Sequence, residues 1–61
     1  MKNKKLLVTD GRGNYGHAIE KRSGKGTEYI EVRMFDNYDK VHTTNWTSFL
    51  IYYEVLDEIE D

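Results

Sequence analysis

The sequence predicts a small all-β domain of about five antiparallel strands, with a short helical turn before the last strand. The clearest strand is EYIEVRMF, residues 28–35, in which Ile30, Val32 and Met34 alternate with charged neighbours at the period of a strand. Segments rich in glycine, asparagine and aspartate, which are typical of tight turns, separate the short apolar segments. A chain of 61 residues without proline is expected to form one domain, residues 1–61.

The first four strands are predicted from local patterns. KKLLVTD at residues 4–10 and HAIEKR at residues 17–22 form the first pair, and SGKGT is the hairpin tip that follows. Ala18 is expected to face inward, with His17 or Ile19 as a second inward residue. After the turn DNYD, the segment KVHTTNW at residues 40–46 is predicted to return beside residues 28–35. The apolar residues expected in the core are Leu6, Val8, Ile30, Val32, Met34, Val41 and Leu50.

The last segment, TSFLIYYEVLDEIED, carries two competing patterns. Phe49, Tyr52 and Tyr53, followed by Leu56 and Ile59, form one stripe of an amphipathic helix. The same segment also alternates in part and is rich in β-branched and aromatic residues, which favours a strand. The preferred interpretation is a helical turn within residues 49–54 and a final strand near residues 55–59, and a full terminal helix is the alternative.

A glycine-rich segment after the first strand matches the dinucleotide-binding pattern G-x-G-x-x-G at Gly11, Gly13 and Gly16. Phosphate binding by that pattern requires a long helix directly after the glycines. Only residues 17–22 precede the next turn, and they are predicted to form a strand. The three glycines are therefore interpreted as a turn that presents Arg12 and Tyr15 at its tip.

Charge is distributed unevenly along the chain. Residues 1–27 carry a net charge of +5 and residues 28–61 a net charge of −7, which gives −2 overall. The absence of cysteine excludes disulfides and thiolate nucleophiles, and it favours a cytoplasmic location. The apolar run at residues 6–8 is too short for a signal-peptide core or a membrane span, so no membrane association is expected.

The sequence contains no residue pattern typical of catalysis or metal binding. We therefore expect that the chain is not an enzyme and that it uses no cofactor or metal. The histidines, His17 and His42, have no zinc-binding spacing and no cysteine nucleophile to activate. Asp36 and Asp39 frame a turn rather than the longer ligand series of a calcium loop. Each histidine is interpreted as a half-exposed polar residue.

The arrangement of these elements resembles an SH3-like small barrel, and within that class it is most similar to the KOW branch. The residues that carry the resemblance are Val8 before the turn, Gly11 or Gly13 within it, and then Gly16 and Ala18. The segment Glu54-Val55-Leu56 is similar to the final strand that closes such barrels. The resemblance implies binding of RNA, of ribosomal or transcription machinery, or of protein segments, without catalysis.

Aromatic residues give the main indication of function. Eight of the 61 residues are aromatic, which is more than such a small core can bury, so some are expected at the surface, where aromatic rings anchor protein contacts or stack on bases. The residues predicted to bind a partner are Arg12, Tyr15, Lys21, Arg22, Lys25, Tyr29, Arg33, Phe35, Tyr38 and Trp46.

Two kinds of partner agree with such a surface. The first is a protein, since the acidic run from Glu54 to Asp61 disfavours phosphates nearby. The chain would then be a non-catalytic interaction module, and its composition is typical of a small accessory or regulatory protein of a bacterium or bacteriophage. The alternative is RNA or single-stranded DNA, bound through the basic N-terminal half. The chain is expected to be a monomer or a weak homodimer, because short edge strands can pair between molecules.

Overall fold

The computed structural model describes residues 4–60. These residues form five strands, one turn of 3-10 helix and one α-helix. In chain order the elements are β1 (Lys4–Thr9), β2 (Tyr15–Arg22), β3 (Glu28–Met34), the 3-10 turn (Phe35–Asn37), β4 (His42–Thr44), α1 (Trp46–Tyr52) and β5 (Glu54–Glu60). The all-β class, the antiparallel strands and the helix before the last strand are confirmed.

All five strands belong to one antiparallel sheet, in the order β4-β3-β2-β1-β5. Leu6 of β1 lies opposite Ala18 of β2, which lies opposite Val32 of β3, so these three residues of adjacent strands share one face of the sheet. The pairing of β1 with β5 contains an irregularity between Leu7 and Val8, where β5 shifts its register. Within residues 4–60, no strand pairing joins β4 to β5.

The core lies between one face of the sheet and the helix. The buried residues are Leu6, Val8, Ala18, Ile30 and Val32 from the strands and Phe49 from α1. Phe49 is completely buried, with the Trp46 ring edge-on at 5.6 Å and the Tyr53 ring stacked at 5.4 Å. One helical side chain therefore covers the centre of the sheet, where burial of a large apolar side chain contributes about 1.5–3 kcal/mol.

The helix begins earlier than the sequence pattern predicts, at Trp46 instead of residue 49. Asn45 causes this start, because its side chain accepts a hydrogen bond from the Ser48 N–H at 2.8 Å and caps the first turn. The strand β4 consequently ends at Thr44, and Trp46 belongs to the helix instead of the return strand. Beyond the helix, Tyr53 is already extended and leads directly into β5.

Two residues expected in the core lie outside it. Val41 is 38% exposed, because it precedes the short strand β4, and Leu50 is 61% exposed, because it projects from the side of α1 away from the sheet. Met34 packs against the buried residues, as predicted. The structure thus corrects the predicted core at Val41 and Leu50 and adds Phe49 as its centre.

The turn between β1 and β2 contains Gly11 and Gly13 at positive φ, near +80° and +86°, a conformation that glycine adopts readily. The carboxylate of Asp10 organises the turn by accepting hydrogen bonds from the Arg12 N–H at 2.8 Å and from the Asn14 side-chain amide at 2.9 Å. These hydrogen bonds lower the pKa of Asp10, and the hydrogen bond from the Asn14 side chain has the largest effect. Gly16 is not part of the turn, contrary to the prediction; it lies inside β2.

The α-helix of the described part of the chain is short, and no helix within residues 4–60 has the length and apolar character needed to cross a membrane.

Candidate functional site

An aromatic cluster lies on the face of the sheet opposite the core. We define it as His17, Arg33, Phe35 and Tyr38. His17 of β2 and Arg33 of β3 are directly opposite each other in the strand pairing, one position away from the buried pair Ala18 and Val32. The 3-10 turn after β3 then brings Phe35 and Tyr38 back over these strands.

The side chains of the aromatic cluster hold one another in place. The His17 ring meets the Phe35 ring edge-on at 4.8 Å, and its Nδ1 shares a 3.0 Å hydrogen bond with the Tyr38 hydroxyl. Arg33 donates from Nη1 to the Tyr38 carbonyl at 3.0 Å and places its guanidinium 5.7 Å from the centre of that ring. Phe35 nevertheless remains 49% exposed and Tyr38 39% exposed. The cluster is therefore an ordered surface with accessible rings.

Electrostatics favour the neutral form of His17. Its partial burial lowers the pKa of the imidazole, and the nearby positive charge of Lys5 lowers the pKa further. A neutral imidazole accepts a hydrogen bond at Nδ1 when its proton is on Nε2, which suits the contact with the Tyr38 hydroxyl. Burial and Lys5 thus both favour the uncharged imidazole beside the Arg33 guanidinium.

A second exposed surface lies on α1. We define the apolar ridge as Leu50, Ile51 and Tyr52, which are 61%, 70% and 67% exposed. These residues project outward because Phe49 and Tyr53, one helical turn apart, occupy the side of the segment that packs on the sheet. A groove of about 260 Å³ runs between the ridge and the start of the β1–β2 turn at Thr9 to Gly11.

The residues predicted to bind a partner lie in four places: the aromatic cluster and the strand next to it, the β1–β2 turn, the far end of β2, and the helix. Arg33, Phe35 and Tyr38 meet in the aromatic cluster, and Tyr15 begins the same strand as His17 on the same face. Arg12 lies in the β1–β2 turn and lines a depression together with Ile51 and Tyr52.

The remaining predicted residues lie elsewhere. Lys21 and Arg22 end β2, with Tyr29 opposite Lys21, and Lys25 is in the following turn, at the far end of β2 from Arg12. Arg22 forms an ion pair with Glu28 at 2.6 Å. Trp46 is half-buried against Phe49 and donates from its indole nitrogen to Glu20 at 2.8 Å, so its polar atom is used within the fold.

His17 and the apolar ridge were not predicted from the sequence as site residues. The ridge has a signal that sequence reasoning can use: FLIYY contains five consecutive large apolar or aromatic residues, and a short helix on a sheet can bury only one side of them. His17 has no such signal, since its neighbours in the cluster are 16 to 21 positions away in the chain. Only the pairing of β2 with β3 brings them together.

Among the described residues, no three histidine, aspartate or glutamate side chains are arranged to hold a metal ion. Comparison of the chain with protein-family models, with curated proteins and with solved structures finds no match.

Proposed function

We propose that this chain is a non-catalytic interaction module whose partner is a protein. The observation that carries the proposal is the number of large apolar side chains outside the core. Among residues 4–60, nine of them are exposed, whereas the core contains six buried residues, one of which is alanine. Single exposed apolar residues are ordinary, but contiguous groups of them are typical of interaction sites. Here they concentrate in the aromatic cluster and along α1 and β5.

The aromatic cluster is suited to be the principal contact. Tyrosine and arginine are enriched among the residues that dominate protein–protein binding energies. The contacts of His17 and Arg33 with Tyr38 order this ring before any partner arrives. Binding then loses less side-chain entropy than it would with freely rotating rings.

The strand order and the helix before the last strand agree with the SH3-like small barrel that the sequence resembles. On this basis we propose a scaffold that presents surface side chains to a partner, as expected for a small cytoplasmic accessory protein of a bacterium or bacteriophage. Fold likeness alone does not identify a partner, so the proposal rests on the exposed side chains.

Affinity capture with matched variants tests the proposal. The immobilised chain is exposed to a bacterial lysate, and bound proteins are quantified for the unmodified chain, for Phe35→Ala and for Val41→Ala. Val41 is an exposed apolar residue outside both surfaces, so its truncation is the control. We expect one dominant protein whose recovery falls about tenfold with Phe35→Ala, since a central aromatic anchor contributes about 1.4 kcal/mol or more. Recovery of chaperones alone, or equal loss in both variants, would refute the proposal.

Arg12→Ala and Tyr15→Ala extend the test to exposed residues in the β1–β2 turn and at the start of β2. Both side chains lie at the surface, and we expect the variants to keep the free energy of unfolding of the unmodified chain. Reduced recovery of the same partner would place Arg12 or Tyr15 within the contact surface.

Single-stranded nucleic acid is the second candidate. The observation in its favour is that Lys21 and Tyr29, which lie opposite each other, share the outer face of the sheet with the aromatic cluster. Glu31 lies on the same face between Tyr29 and Arg33, which weakens a continuous phosphate path. A mobility-shift assay with single-stranded RNA and DNA decides the matter: a shift that weakens steeply as salt increases favours nucleic acid, and no shift at low salt excludes it.

A further inference from the structure

β5 forms the long edge of the sheet. It runs from Glu54 to Glu60 and pairs with β1, and within residues 4–60 no strand lies on its other side. The opposite edge, β4, has only three residues. An edge strand of this length offers a row of backbone N–H and C=O groups to any chain that can pair with it.

The side chains of β5 divide between the two faces of the sheet. Glu54 and Asp57 lie opposite Thr9 and Leu7, on the outer face, and both are exposed. Val55 lies opposite the buried residue Val8, on the core side, and it is also exposed. Beyond the irregularity, Glu58 lies opposite the buried residue Leu6, on the core side, and is exposed as well. A strand added to this edge would therefore meet an apolar side chain at Val55 and carboxylates on both faces.

The apolar ridge lies directly before β5 in the chain, and its three residues line one groove with Glu54. The ridge ends at Tyr52 and β5 begins at Glu54, so a single residue separates them. Neither α1 nor β5 contains a basic residue, and Leu56 adds another exposed apolar side chain to β5. The surface from α1 to β5 thus carries apolar and acidic side chains, and none that is basic.

We propose that β5 receives an extended basic segment of a protein partner, which pairs with it as an additional strand. Basic side chains of that segment lie beside Glu54 and Asp57, and its apolar side chains lie beside Val55 and the apolar ridge. Backbone hydrogen bonds supply affinity in this mode of recognition, and the alternating side chains supply specificity. None of these residues belongs to the aromatic cluster; the inference rests on the proposed protein-binding function and adds to it the surface and the kind of segment that is bound.

The negative charge of β5 favours a basic segment over a second copy of this chain and over a nucleic acid. Pairing of β5 with β5 of a second copy would bring carboxylates on both strands together, and like charges on paired strands are destabilising. A nucleic acid would bring phosphates against Glu54 and Asp57. A basic segment instead satisfies both the open backbone edge and the carboxylates beside it.

Binding of designed peptides to the full chain tests the proposal. The probe is a fluorescent peptide of alternating lysine and valine, as long as β5; the controls are the same peptide with alternate amides N-methylated, and a glutamate–valine counterpart. Fluorescence anisotropy measures affinity, and amide chemical shifts locate the site. We expect saturable binding with shifts in residues 54–60, and affinity at least about tenfold weaker after N-methylation, which removes backbone donors.

Matched variants separate this surface from the rest of the molecule. Asp57→Lys is expected to weaken binding of the lysine–valine peptide about tenfold, by replacing attraction with repulsion. Asp36→Lys makes the same charge change on the exposed 3-10 turn and is expected to change affinity by less than about twofold. Ile51→Ser tests the apolar ridge and is expected to weaken binding several-fold. Circular dichroism verifies that each variant is folded.

Several results would overturn the proposal. These are no binding of the lysine–valine peptide at low salt, equal binding of the N-methylated or glutamate peptide, or shifts confined to the aromatic cluster. A dimer in sedimentation without peptide, with the β5 amides protected from hydrogen exchange, would show that a second copy occupies the edge. These outcomes are independent of the capture experiment, because Phe35→Ala leaves β5 unchanged.

Discussion

Gly16 shows how the absence of one side chain allows two strands to approach. A Cβ built at this position would lie 2.7 Å from the Cα and 2.8 Å from the sulfur of Met34, and closer still to the carbonyl oxygen of Arg33. Two of these atoms belong to the backbone of β3, which cannot move without disturbing its pairing with β2. The requirement for glycine here is therefore close packing, whereas at Gly11 and Gly13 it is positive φ.

Substitution of Gly16 should consequently be costly. We expect Gly16→Val to lower the free energy of unfolding by about 2 kcal/mol or more, because overpacking displaces backbone as well as side chain. Gly24 is the matched control, since a Cβ there meets nothing within 4 Å and φ is not positive. Urea unfolding measures both effects. Equal stability of Gly16→Val and the unmodified chain would contradict the close approach of β3.

His17 makes stability depend on pH. In the unfolded chain its pKa has the ordinary value of 6.5, whereas burial, and then Lys5, lower the pKa in the folded chain. Between those two pKa values the unfolded chain binds more protons, so the free energy of unfolding falls as the pH decreases. The stability that neutral His17 contributes is present above pH 6.5 and is lost as the pH falls through the lowered pKa.

Urea unfolding at about pH 7.5 and about pH 5.5 checks this dependence. We expect the unmodified chain to lose stability at the lower pH and His17→Gln to lose less, because glutamine does not titrate. Asp10 is separated from this effect, since its lowered pKa places its own titration below pH 3.8. The same loss in both chains would show that another group is responsible.

At the level of elements, α1 is defined by its ends more than by its composition. WTSFLIY contains β-branched and aromatic residues that do not favour helix strongly. The helix forms because Asn45 caps its first turn and because Phe49, in the next turn, packs into the core. At the other end the Tyr53 N–H donates to the Phe49 carbonyl, and the chain becomes extended there.

Removal of the cap should destabilise the protein measurably. We expect Asn45→Ala to cost about 1 kcal/mol, because the Ser48 N–H loses its acceptor. In a domain of about 60 residues that change lowers Tm by roughly 4–8 °C. Asn45→Asp retains an acceptor at the same position and serves as the control in thermal unfolding. Equal Tm values for the alanine and aspartate variants would mean that the cap contributes nothing.

At the level of the whole molecule, stability depends on very few buried side chains. In the described part of the chain the core has six hydrophobic residues, and Phe49 is the largest of them that is fully buried. Folding free energies of about 0.05–0.15 kcal/mol per residue give such a chain a total of only a few kcal/mol. The loss of one central contact is therefore comparable to the whole stability.

We expect Phe49→Ala to cost about 3–5 kcal/mol and to leave much of the protein unfolded at room temperature. Leu50→Ala truncates an apolar side chain at the adjacent, exposed position and should change stability by less than about 0.5 kcal/mol. Near-ultraviolet circular dichroism and hydrogen exchange distinguish the two variants. A folded Phe49→Ala chain, or an unfolded Leu50→Ala chain, would contradict the packing of α1 on the sheet.

The sequence by itself determined the features that follow from local pattern. Alternation at residues 30, 32 and 34 predicted β3, the glycine-rich segment after Val8 predicted the turn after β1, and the mixed pattern after residue 48 predicted a helical turn followed by a strand. Arg33, Phe35 and Tyr38 were also recognisable as candidate contact residues. Each of these predictions depends on residues that are close together in the sequence, where steric preference and periodicity act directly.

Only the tertiary structure decided what depends on distant parts of the chain. The pairing of β2 with β3 placed Gly16 against Met34 and His17 against Arg33, and the helix on the sheet buried Phe49 while leaving Leu50 outside. Strand register and the packing of one layer on another are set by the summed contacts of the whole domain, so no local pattern contains them.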